Sequence, residues 1–160
     1  MRGASRHEAA KRVLAAIHAL DEAIQRARHD LVLFAAIRDG RTFLGGGPPN
    51  LDPYREARRV AVPVWDRFKN LQDAEHDAYG PIGPQVKERL RRVYQVTDMF
   101  MRQFHVEWMG ETPEERRERL AAVVKWQVRP RALYDDDPDD YKPQLVSALE
   151  EAEKFFRSKL

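Results

Sequence analysis

The stretch AKRVLAAIHALDEAIQRARHDLVLF, Ala10 to Phe34, decides the fold class. Its apolar residues Ala10, Val13, Ile17, Leu20, Ile24, Ala27, Leu31 and Phe34 recur at alternating intervals of three and four. That spacing places them on one stripe of an α-helix, and its persistence over more than three heptads is the pattern of helices packed lengthwise. Ser5 followed by Glu8 supplies a capping box at the start, and Asp39-Gly40 supplies a stop. A helix over 5–39 would extend about 50 Å at 1.5 Å per residue. A rod of that length needs other long helices, or a copy of itself, along its side.

Outward from this rod, the same signals repeat. Residues 40–52, with Gly45-Gly46-Gly47-Pro48-Pro49, read as a loop. Asp52 as N-cap and Pro53 at the first helical position open a second helix, expected over 53–79 and kinked near Pro63. Gly80-Pro81 should end it. A third helix is expected over 84–109 with the seam Val86, Leu90, Val93, Thr97, Phe100 and Phe104. At 100° per residue, Phe100, Met101, Phe104 and Trp108 share one side of it, while Met99 and Val106 lie nearly opposite. Such a two-sided segment belongs between neighbours or at a subunit interface. Thr112, Pro113 and Glu115 start a fourth helix, 113–129, which carries Leu120, Val123, Val124 and Val128. Beyond Asp135-Asp136-Asp137-Pro138-Asp139-Asp140, read as a solvated loop, a fifth is expected over 143–158 with Leu145, Ala148, Leu149, Ala152, Phe155 and Phe156 on one face.

No stretch alternates with period two for long enough to suggest a strand. The reading is therefore an all-α protein: residues 1–160 as one domain, an antiparallel up-and-down bundle of about five helices. A 160-residue chain can bury roughly 70% of its unfolded surface, enough for a self-sufficient core. The absence of cysteine excludes disulfides and thiol chemistry and suits a reducing compartment. The longest apolar run, Leu31 to Ile37, is far short of the ~20 residues of a membrane span, and residues 1–11 have no apolar signal core. A cytoplasmic protein without a membrane partner is expected. The ending Ser158-Lys159-Leu160 matches a peroxisomal address but follows directly on a helix whose phenylalanines should dock.

Charge is uneven: 24 Lys and Arg against 18 Asp and Glu through residue 131, and 4 against 8 beyond it. Arg55, Arg58 and Arg59, with Lys87, Arg89, Arg91 and Arg92, are the candidate basic patch for nucleic acid, interrupted by Glu56, Asp66 and Glu88. Asp73 and His76 form a carboxylate–histidine i, i+3 pair, the half-site of a bundle metal centre, but no second Glu-x-x-His accompanies it. Asp98, Arg102 and His105 share a stripe of the third helix; facing a cleft, His105 would be the acid/base of an enzyme. Arg12 and His18 have a spacing used by some helical ribonucleases, although six residues place them on different helix faces. The run from Asp135 to Asp140 lacks the alternating ligands and glycine of a calcium loop.

No cofactor is implied. The function expected from this pattern is that of a non-catalytic helical interaction or scaffold protein, self-associating through the first helix or the Met99–Met109 segment. A nucleic-acid-binding accessory subunit is the alternative, and a helical-bundle enzyme or metal protein the second alternative.

Overall fold

The structure, a computed structural model, describes residues 5–41, 50–110, 112–126, 131–136 and 139–160. The described residues form five helices and no strand: α1 (Arg6–Arg38), α2 (Pro53–Ile82), α3 (Gln85–Trp108), α4 (Pro113–Trp126) and α5 (Lys142–Arg157). The fold is all-α.

Helix starts follow the predicted chemistry. The Ser5 hydroxyl accepts the Glu8 backbone N–H at 3.1 Å, and Glu8 returns to the Ser5 N–H at 3.3 Å, closing the capping box. Asp52 accepts from the Tyr54 N–H at 3.0 Å, and Thr112 from the Glu115 N–H at 3.2 Å. At the far end of α1, Gly40 takes the left-handed conformation, φ 71°.

One boundary of α2 differs from expectation. α2 passes through both Gly80 and Pro81 and ends only at Gly83, whose φ is 117°. A proline in the last turn removes a single amide and leaves the preceding turn intact, so the positive-φ glycine sets the terminus. Pro63 sits inside α2 as expected, on its exposed side, where the carbonyl that loses its helical donor can face water. The loop glycines Gly45–Gly47, and Val128 of the fourth helix, lie outside the described residues.

All eight seam residues of α1 are buried. α1 packs against α2 and α5, and α3 against the same two helices, so these four close a square. α4 lies against α3. Contacts climb one helix as they descend its neighbour. Arg12 near the start of α1 meets Asp77 near the end of α2, and Tyr54 at the start of α2 meets Trp108 at the end of α3. Arg92 of α3 reaches Glu151 of α5, and Arg89 covers Phe155. The buried residues of α2 are mainly alanine, at 57, 61, 74 and 78, and α1 meets α2 along more of its length than it meets any other helix. Small side chains let the two backbones approach.

α5 is less than half as long as α1 and cannot line the whole bundle. Residues 131–136 and 139–141 complete its side as an irregular strap, with Ala132, Leu133, Tyr134 and Tyr141 buried.

Candidate functional site: two buried ionic clusters

The polar interior lies where the strap crosses α1 and α3. A strap has no helical ladder, so its backbone carbonyls need donors from elsewhere. Arg28 of α1, 1% exposed, supplies them. Its Nε donates to the Ala132 carbonyl at 2.8 Å, and its Nη2 donates to that of Tyr134 at 2.5 Å and, more weakly, to that of Arg131 at 3.4 Å. The same guanidinium holds Asp139 in a two-pronged pair, Nη2 to Oδ1 at 2.7 Å and Nη1 to Oδ2 at 3.0 Å, and its carbon lies 4.8 Å from the centre of the Tyr141 ring. Asp139 also accepts the N–H groups of Tyr141 (3.3 Å) and Lys142 (3.0 Å), capping α5 from outside its formal N-cap. Burial works against the Asp139 charge, but Arg28 and the two amides outweigh it and hold the carboxyl below the usual range.

The second cluster joins the end of α1 to the end of α3. Arg38 Nη1 lies 3.1 Å from Glu107 Oε1, and its Nε donates to Asp39 at 2.9 Å. The Tyr134 hydroxyl donates to the same Glu107 carboxylate. Arg38 stacks over Trp108, 4.3 Å to the ring centre, and Tyr54 meets Trp108 edge-on at 5.4 Å. Burial opposes the Arg38 charge, yet Asp39, Tyr134 and Glu107 prevail and raise its pKa. The Tyr134 phenol is pushed up, by burial first and then by the Glu107 charge. Trp108 is wholly buried, and among the described residues its indole N–H has no acceptor in hydrogen-bonding geometry, the Tyr134 hydroxyl being the polar group that interacts with it. Tyr134 belongs to both clusters: its carbonyl serves Arg28 and its hydroxyl serves Glu107.

This arrangement corrects the reading of the acidic run as solvated. Asp139 is locked to Arg28, Asp140 accepts the Arg131 N–H at 3.0 Å, and Asp135 meets His29 at 3.1 Å. Its carboxylates fasten the strap at separate points. Asp137 and Pro138 lie outside the described residues.

The residues singled out from sequence lie elsewhere. Asp98 and Arg102 form an i, i+4 surface pair at 2.7 Å on α3, with an exposed His105 one turn on. Asp73 and His76 are exposed on α2, and among the described residues no group of three or more His, Asp or Glu is placed to hold a metal ion. Arg12 pairs with Asp77 and His18 with Glu153, so the two face different helices. In the basic patch, Arg59 pairs with Glu56 at 2.7 Å, Arg91 with Glu88 at 2.8 Å, and Arg92 with Glu151 at 2.6 Å. Arg55 and Lys87 are exposed and Arg58 half-buried. Near the terminal tripeptide, Ser158 donates back to the Phe155 carbonyl at 2.5 Å, and Lys159 lies over the Phe155 ring.

No protein-family model, curated protein or solved structure matches the chain. No helix among the described residues is long and apolar enough to cross a membrane.

Proposed function

We propose that this is a non-catalytic helical interaction protein of the cytoplasm, presenting a stiff surface to another protein, in the first instance a second copy of itself. The observation that carries this reading is how the buried charges close on one another. Arg28 takes Asp139 and the strap carbonyls, while Arg38 takes Asp39 and Glu107. Pairs that link one chain segment to another hold a shape in register, the best-attested use of buried ionic groups.

The contact surface fits the Met99–Met109 segment better than the α1 seam, because that seam is filled within the chain. Val106 is 42% exposed, and Met99 and Met109 are half-buried near it in sequence. The nucleic-acid reading ranks second, since Arg59, Arg91 and Arg92 already have acidic partners within the chain.

Size-exclusion chromatography with light scattering tests the proposal. A species of twice 18.7 kDa is expected, and Val106→Asp should return it to 18.7 kDa. A strict monomer at the highest soluble concentration overturns self-association, and so does a dimer that Val106→Asp leaves intact at this surface.

A further inference from the structure

We infer that the strap, residues 131–136 with 139–141, opens and closes as one unit, latched by the single buried guanidinium of Arg28. The argument begins with its backbone. The carbonyls of Arg131, Ala132 and Tyr134 all take hydrogen bonds from Arg28, and the N–H groups of Tyr141 and Lys142 both go to Asp139, the partner of Arg28. Five backbone groups thus depend on two side chains that depend on each other. Losing Arg28 strands the buried carbonyls of Ala132 and Tyr134, and losing Asp139 strands the buried Arg28 guanidinium itself, so partial opening is penalised and the segment moves as a whole.

Helical segments on either side satisfy their own backbones and need no such latch. Among the described residues, other side-chain contacts also tie the strap to the helices, one of them His29 of α1 to Asp135 at 3.1 Å. Gln103 of α3 accepts the Ala132 N–H at 2.8 Å, the Tyr141 hydroxyl donates to the Val96 carbonyl at 2.5 Å, and Tyr134 reaches Glu107. Through Tyr134, opening of the strap also removes a hydrogen bond from the Arg38–Glu107 cluster. The two ionic clusters are therefore coupled: the latch on α1 governs the surroundings of Glu107 at the end of α3.

Hydrogen–deuterium exchange read by mass spectrometry tests this on the full chain, in wild type, Arg28→Met and Asp139→Asn. Both substitutions should speed exchange of the amides of 131–136 and 139–142 at least tenfold, while peptides of α2 stay within twofold of wild type. In wild type under mild urea, the strap amides should exchange together, with a shallower denaturant dependence than α2. Unchanged strap exchange in Asp139→Asn overturns the latch. Equal acceleration of strap and α2 overturns the independent unit, as does a wild-type strap whose amides follow the α2 denaturant dependence. The wild-type measurement decides the matter should Arg28→Met fail to fold.

Discussion

Trp108 offers the sharpest quantitative test of the interior, because truncating it and trimming it should differ widely. The indole is fully buried between the Arg38 guanidinium and the edge of Tyr54. A tryptophan removes up to ~250 Å² from water, worth about 6 kcal/mol gross at ~25 cal/mol per Å². Alanine keeps part of that burial and leaves a partly collapsed cavity, so Trp108→Ala should cost about 3–5 kcal/mol. For a chain of this size that lowers Tm by about 6–20 °C. Trp108→Phe loses a smaller area, on the order of 1 kcal/mol, but also removes a buried N–H without an aligned acceptor, a penalty of about 1–3 kcal/mol when unmet. The net lies between about zero and a gain of about 2 kcal/mol, so the phenylalanine variant should be no less stable than wild type. Paired urea and thermal unfolding curves, followed by far-ultraviolet circular dichroism, measure both. A phenylalanine variant as unstable as the alanine one would refute the reasoning, since the indole N–H would then have to be engaged.

Two further outcomes follow from named contacts. Asp139 has a lowered folded pKa, so the stability it contributes is complete above the unfolded carboxylate value near ~3.9 and is lost as pH falls through the lower folded value. It is faced by Arg28 from α1, with His29–Asp135 and Arg131–Asp136 alongside, by Tyr141 and Lys142 at the start of α5, and from α3 by Glu107 through Tyr134. The urea midpoint should drop on acidification, and by less in Asp139→Asn; identical profiles would remove Asp139 as the cause. At Gly110 an added Cβ would stand 2.9 Å from Arg116 Cγ and 3.2 Å from its backbone nitrogen. Gly110→Ala should therefore cost about 1–3 kcal/mol, and a Tm equal to wild type would contradict that approach.

The fold was legible because its signals are local. A capping box at Ser5, a proline at position 53, a positive-φ glycine at 40 and a three-four spacing each act within a turn or two of their own position. The misplaced end of α2 has the same origin. Gly80-Pro81 looks like a stop, whereas three further residues of helix cost only one amide. The ionic clusters were not legible, because their partners are remote in sequence. Arg28 stands four residues after Ile24 and three before Leu31, on the flank of the buried stripe, but its carbonyl and carboxylate partners lie 103–111 residues away. Periodicity along one helix says nothing about a strap that lacks donors. Arg38, Glu107 and Tyr134 escaped for the same reason, and Asp139 was read with its acidic neighbours although it alone of that run takes the Arg28 guanidinium of the first helix. The available sign was Arg28 itself, a cation on the row that Ile24 and Leu31 carry inward.

Order of synthesis gives Arg28 a further consequence. It leaves the ribosome with the first helix, while the carbonyls and carboxylate that complete it emerge more than a hundred residues later. Until then the guanidinium lacks the partners that surround it in the folded chain. Final consolidation must wait for a contact of high sequence separation, which is entropically slow to close. The native surroundings of this arginine thus depend on a part of the chain made long after it.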